Sequence, residues 1–327
     1  MNTGRTQLLM GPSGIVTDDT EALHAVLDER GRIVLRSGVE FPRFMYRGQP
    51  EECHPCLPAL GRMRTREEQL LALCQTVAFE DALGGHPAVR VAEATRFLGS
   101  PLRIDRTALA QHYGMATDLL DFTSNFDIAS FFATCRWDRA SGVYEPIDTS
   151  DQPGVIYRTP PWEILAEIAP GVGLEPVGWQ PLPRPEQQRA YGLRLARGKD
   201  FHSVPAVQVV RFRQCAETSI RIWTAFDRGR ALFPSDSTAT LSSQARSLSS
   251  FSRHQVDRAW GRLDAWHGST TSADERRRGE LLAGIDLVQT AVLTCEPLGP
   301  DDNAEEVTER LTATLRKVRC RRVLYPD

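Results

Sequence analysis

The sequence predicts an α+β fold: a mixed domain of short strands and packed helices over residues 1–235, followed by a helical C-terminal region over 236–327. Three observations predict it. Runs rich in apolar and β-branched residues at Val155-Ile156-Tyr157, 207–212 and 220–225 read as strands. Around them, apolar residues recur at helical spacing behind capping residues. From 234 to 252 the composition shifts to serine and threonine, which reads as a linker or mobile loop before further helical patterns.

In chain order, the first 40 residues hold one helical pattern, with Asp18 and Glu21 spaced as a capping box and Gly31 as a stop. Ile33-Val34-Leu35 reads as a short strand. Thr65-Arg66-Glu67-Glu68 is a second capping box, opening a helix whose Leu70, Leu71, Cys74, Val77 and Ala78 share a face. A helix over 89–98 follows. Asp105 caps the next one, which carries Leu109 and Tyr113 and ends at Gly114 in the left-handed conformation. Asn125 caps a helix that buries Ile128, Ala129, Phe131 and Phe132. Beyond 252 the helical stretches are 254–266, 273–293 and 304–318, which pack on the first domain or bind a partner. No internal repeat is evident.

Composition sets the bounds. Apolar residues make up 41% and charged residues 25%, enough to bury a core and too apolar for global disorder. A net charge of −3 gives no electrostatic reason for general nucleic-acid affinity. Lys199 and Lys317 are the only lysines, so nearly all cationic charge is arginine, and phosphate binding must rest on individual arginines. No apolar run approaches the roughly 20 residues needed to span a bilayer, and the N-terminus lacks a signal-peptide pattern, so a cytoplasmic location is expected. Seven cysteines scattered over the chain suit reduced thiols.

Two segments carry the chemistry. In Phe44-Met45-Tyr46-Arg47-Gly48-Gln49-Pro50, a planar guanidinium able to make paired hydrogen bonds to phosphate or carboxylate is followed by a glycine that admits close backbone approach. Gln49 adds an amide. An arginine at a strand end is equally read as a structural ion pair. The segment Gln111-His112-Tyr113-Gly114-Met115-Ala116-Thr117-Asp118-Leu119-Leu120-Asp121-Phe122-Thr123-Ser124 concentrates a titratable ring, hydroxyls and carboxylates between two apolar patterns. Thr117, Thr123 and Ser124 offer hydroxyls, and the last two stand where helix N-terminal N–H groups gather. Asp118 and Asp121 are placed to orient His112 or the hydroxyls. The plainer reading of each is a capping cluster beside a satisfied histidine.

These blocks, with Leu57-Pro58-Ala59-Leu60-Gly61-Arg62, Glu67-Glu68 and Ala129-x-Phe131-Phe132-Ala133, resemble the FRG domain, a family named for its (F/Y)-R-G motif; the resemblance spans about residues 40–160. Asp118 stands where the resemblance leads one to expect arginine. A wider similarity, of Tyr46-Arg47-Gly48 and Phe122-Thr123-Ser124, is to ADP-ribosyltransferases of the Arg–Ser–Glu type. That likeness implies an ADP-ribosyltransferase-like fold with NAD as substrate. It implies that Tyr46, Arg47, Gly48, Gln49, His112, Thr117, Asp121, Thr123, Ser124 and Gln188 bind NAD or a related nucleotide. Arg47, His112, Thr123 and Glu186 then carry catalysis.

Transfer of ADP-ribose needs a carboxylate beside the ribose. In Arg184-Pro185-Glu186-Gln187-Gln188, Glu186 is the nearest acid, whereas Gln188 is the better match to the family's glutamine and carries no charge. His112 or Asp121 is the alternative group. The leading expectation is a transferase-like effector of toxin or phage-defence type acting on a protein or nucleic-acid acceptor. A noncatalytic nucleotide-binding or protein-interaction module is the alternative. A third reading makes the C-terminal helices the seat of a neutralising protein partner.

Other motifs rank lower. Cys53-His54-Pro55-Cys56 has metal-like spacing but no second pair, so its cysteines read as free thiols and no metal is expected. Gly11-Pro12-Ser13-Gly14 lacks the lysine and spacing of a phosphate loop.

Overall fold

A six-stranded antiparallel sheet positions the two motif segments. In the computed structural model, residues 7–11, 14–18, 23–37, 42–138, 140–161, 172–204, 207–234, 236–268, 285–289, 293 and 304–319 are described. The sheet strands are β1 (Met45–Gln49), β2 (Leu119–Thr123), β3 (Gly154–Thr159), β4 (Val172–Pro176), β5 (Ala190–Leu195) and β6 (Gln208–Phe212), in the spatial order β4-β5-β2-β1-β3-β6. The helices are α1 (Arg66–Leu83), α2 (Pro87–Ala94), α3 (Arg106–His112), α4 (Phe126–Thr134), α5 (Pro183–Gln187), α6 (Ala216–Ala225), α7 (Ser237–Ser247), α8 (Arg253–His267) and α9 (Ala304–Arg316). The α+β expectation holds.

Alternation along the strands sends Met45, Leu120, Phe122, Val155, Tyr157, Tyr191 and Leu193 into one core, closed by Cys56, Phe201 and Val204. Helix α4 covers the other face, with Ala129 and Ala133 lying on Ile156. Gly48 permits that approach, because a Cβ there would overlap the Ala129 carbonyl oxygen.

Helix α1 is the second organiser. Thr65 and Glu68 form the predicted capping box at its start, and Leu70, Cys74, Val77 and Ala78 are buried, while Leu71 is exposed. Leu73, Cys74 and Val77 pack with Phe251, Val256, Trp260 and Leu263 of the α8 region. Phe79 and Leu83 pack with Leu109, Tyr113, Leu241 and Ala245 of α3 and α7. The helices beyond residue 236 therefore share their core with the first domain. Glu80, only 2% exposed, is held by Arg262 at 2.6 and 2.7 Å, by Arg258 at 3.2 Å and by the Thr107 hydroxyl at 2.9 Å.

Asp105 and Asn125 cap α3 and α4 as their positions predict, and Gly114 takes a φ of +79°. Several expectations need correction. The predicted N-terminal helix is replaced by strands at Gly14–Asp18 and Leu23–Leu27; Glu21 lies outside the described residues. Leu23–Leu27 pairs with Ile33–Ser37 around a turn in which the Asp28 carboxylate accepts from the N–H groups of Arg30 and Arg32, so Gly31 (φ +70°) serves a hairpin rather than a helix end.

Residues 220–225 belong to helix α6, because Ile222, Trp223 and the following Phe226 pack at helical spacing around Phe131 while Ile220 is exposed. The serine-rich stretch 234–252 is mostly helix α7. Asp236 caps it through Ala239 N–H at 2.9 Å, and its buried Thr238, Leu241, Ser242 and Ala245 are small enough for close packing. Helix α2 ends at Ala94, ahead of a two-residue strand at Arg96–Phe97. Of the predicted helix 273–293 most lies outside the described residues, and Asp286–Val288 within it is a strand parallel to Ser250–Ser252.

Helix α9 forms as expected and is followed by Val318–Arg319, which pairs in parallel with Leu23–Leu27. Among the described residues no helix is long and apolar enough to cross a membrane. Cys53, Cys56, Cys74, Cys135 and Cys215 are free thiols.

Gly48→Ala forces α4 off the sheet; a loss of about 3 kcal/mol or more is expected, at the upper end of overpacking costs. Denaturant midpoints of wild type and variant check it.

Candidate functional site

The strand carrying Arg47 and the strand carrying Asp121 pair at a single position, Tyr46 opposite Thr123. Hydrogen bonds from Ser124 N–H to the Arg189 carbonyl and from Leu195 N–H to the Asp118 carbonyl show that even-numbered residues of β2 bond β5. The Asp121 carbonyl therefore faces β1. With the ladder ended there, the Arg47 guanidinium fills the split and donates from Nη1 to that carbonyl at 2.9 Å.

The rest of the first motif divides by face. Tyr46 meets Phe126 edge-on at 5.5 Å and Gly48 admits α4, so both serve packing on the α4 side. Gln49 accepts a weak Cys56 thiol contact at 3.9 Å, near Arg47.

In the second motif, Gln111 links two predicted residues: its Nε2 donates to Asp121 Oδ2 at 3.1 Å, and its Oε1 accepts from the Thr117 hydroxyl. Thr117 also accepts from Leu119 N–H, and Thr123 accepts from Asn125 N–H at 3.1 Å. The backbone of Ser124 is tied to Arg189, while Asp118 pairs with Arg194 instead of facing the cluster.

His112 is 6% exposed at the end of α3, with Nδ1 2.9 Å from Gln188 Oε1. Gln188 donates its Nε2 to the Leu232 carbonyl at 3.1 Å, which fixes the amide and directs its oxygen at the ring. In neutral His112 the proton therefore sits on Nδ1, and Nε2 carries a lone pair. That Nε2 is buried and has no hydrogen-bond partner among the described residues; Arg47 Nε and Arg184 Nε share this condition. Buried polar atoms are nearly always paired, so three such atoms in one region single it out as the candidate site.

Charge points the same way. Burial is the largest influence lowering the Arg62 pKa, and repulsion from Arg47 adds to it, with Asp121 opposing. Burial raises the Tyr144 pKa, next the Asp121 carboxylate, while Arg184 and Arg47 oppose. Arg47, Arg184 and Tyr144 thus share an electrostatic neighbourhood with Asp121, which the exposed Arg62 borders. Arg184 lies 4.3 Å from the Tyr113 ring centroid and 5.7 Å from that of Phe233, and Phe233 stacks on Tyr144 at 4.8 Å. The Tyr113 hydroxyl donates to Asp236 at 2.5 Å, and Arg246 holds the Tyr113 carbonyl at 2.9 Å.

Glu186 stands apart from this cluster in its electrostatics. Burial raises its carboxyl pKa, and Lys317 is the cation that opposes the shift. A cavity of about 610 Å³ opens beside the site, touching it through Thr117 and lined further by Asp118, Arg194, Arg262 and Trp266. It lacks the unpartnered buried groups of the Arg47–His112 region, apart from Trp266 Nε1 on its wall.

Sequence reasoning missed Gln111, Arg184, Tyr144 and Phe233 as members of the cluster. The four-residue spacing of Arg184 and Gln188 was the available signal for the second of these. Among known proteins, residues 42–141 match the family model of the FRG domain. No curated protein and no solved structure matches the chain.

Because the folded-state pKa of Glu186 is raised, its contribution favours folding below the ordinary carboxyl range and is lost as pH rises through the folded value. Glu186→Gln is expected to raise Tm at neutral pH and to lose that advantage at acid pH. Thermal melts across a pH series check it.

Proposed function

The chain carries an FRG domain over residues 42–141, and we propose that it binds an NAD-class dinucleotide at the Arg47–His112 cluster as an ADP-ribosyltransferase-like protein. The observation that carries the reading is the set of buried, unpartnered atoms at Arg47 Nε, Arg184 Nε and His112 Nε2 beside stacked aromatic rings. Guanidinium donors suit phosphate oxygens, and the imidazole lone pair suits a ribose or acceptor hydroxyl.

In this reading Arg47 and Arg184 hold the pyrophosphate. The Asp121 carboxylate stabilises the cationic ribose that forms as the nicotinamide bond breaks, and His112 Nε2 takes the acceptor's proton. Gln111 is a positioning residue that orients Asp121, as Gln188 orients His112. Glu186 is left out of the chemistry because Lys317, not Arg47, is the charge acting on it. The same observation favours the second reading, a nucleotide-binding module without turnover. A role as a toxin or phage-defence effector, with a protein or nucleic-acid acceptor, belongs to the first reading.

Titration calorimetry with NAD, together with nicotinamide release, tests both. Arg47→Ala and His112→Ala are expected to weaken binding about tenfold to a hundredfold, the worth of a hydrogen bond to a charged group. Asp121→Asn is expected to lower release more than binding. Binding without release selects the module; neither binding nor release rejects the NAD assignment.

A further inference from the structure

Across the sheet from α4, the loop after β1 and the short helix Phe201–Ser203 after β5 bring three metal-competent side chains together. Glu52 Oε1 lies 3.2 Å from His54 Nε2 and 3.5 Å from His202 Nε2, and the three donor atoms fall within 4.8 Å of one another. Ligands bound at 2.0–2.1 Å in a tetrahedral zinc site stand about 3.3 Å apart along an edge. Two of the three spacings already match that edge. The His54 and His202 rings stack at 4.3 Å with an interplanar angle of 20°, so binding one ion through both Nε2 atoms requires the exposed His54 ring to turn out of the stack toward the ion.

The surroundings are those of a supported ligand. Asp200 Oδ1 lies 2.9 Å from His202 Nδ1, and the same oxygen accepts from the N–H groups of Cys56 and His202. That contact places the imidazole proton on Nδ1 and leaves the Nε2 lone pair for a metal, the usual outer-shell arrangement for a ligating histidine. Arg211 holds Glu52 through Nε to Oε2 at 2.6 Å and Nη2 to Oε1 at 2.7 Å. An ion on Oε1 displaces the second of these bonds and keeps the first as an outer contact. The Tyr157 hydroxyl, 3.1 Å from His202 Nε2, competes for the same lone pair and is placed to turn to a water in the fourth position.

We propose that Glu52, His54 and His202 form a three-ligand, solvent-accessible site for zinc(II) or a divalent ion of the same class. The cysteines whose spacing first suggested a metal take no part: Cys56 is buried and Cys53 exposed, whereas the intervening His54 supplies the ligand. The ion fastens the end of the Arg47 strand to the end of β5 and so braces the split that Arg47 occupies. The assignment stands on this donor set and is independent of the NAD reading.

The full chain is stripped with chelator, dialysed and titrated with Zn²⁺ by calorimetry, and with Co²⁺ by visible absorption. One equivalent per chain, low-coordinate cobalt bands and a Zn²⁺-dependent rise in Tm are expected. His54→Ala and His202→Ala are expected to abolish the cobalt bands. Asp200→Asn, which keeps the first ligands, is expected to weaken affinity about tenfold to a hundredfold. Circular dichroism of each variant without metal verifies its fold, and a variant that is unfolded is replaced by His54→Gln or His202→Gln. Absence of binding in the folded wild type, or binding unchanged in folded His54 and His202 variants, overturns the proposal.

Discussion

The β1–β2 ladder closes at one pair, Tyr46 opposite Thr123, and the candidate site depends on where it stops. Beyond that pair the Asp121 carbonyl has no strand partner on the β1 side, and a buried carbonyl needs a donor. Arg47 supplies it and is thereby fixed across the gap with its Nε still to spare. Gly48 brings the α4 backbone against the strand from the other side, so neither strand is free to slide and close the split. The glycine and the arginine of the motif are thus two halves of one device.

Local signals were the legible part. Thr65–Glu68, Asp105, Asn125 and Gly114 act within a few residues of themselves, and each does what its position predicts. Signals settled by distant packing were misread. Ile220-Arg221-Ile222-Trp223 alternates like a strand, yet Trp223 must reach the Tyr144 carbonyl, which a helix allows. The serines of α7 look like a linker because nothing local says that α1 and α3 will press on them. At the site, Arg47, His112 and Asp121 were legible from their motifs. The cluster around them was not, because Gln188 meets His112 from 76 residues away and Phe233 arrives from later still.

Arginine is put to two different uses. Arg194 is neutralised by Asp118 and Glu175, Arg211 by Glu52, and Arg258 and Arg262 by Glu80. Arg47 instead donates to the Asp121 carbonyl, and Arg184 lies over the Tyr113 ring. Placement separates the arginines held in ion pairs from these two at the candidate site.

Glu80 carries a consequence for what the matched stretch needs in order to fold. It sits within the family-matched stretch, but the two guanidiniums that make its burial tolerable are on α8, far outside it. Removing one partner of a buried ion pair strands the other in a medium that penalises charge. The family-matched block is therefore not a unit of folding by itself. A graft of it onto another protein must bring the trailing helices, or a substitute for their charge, before the split in the sheet can form.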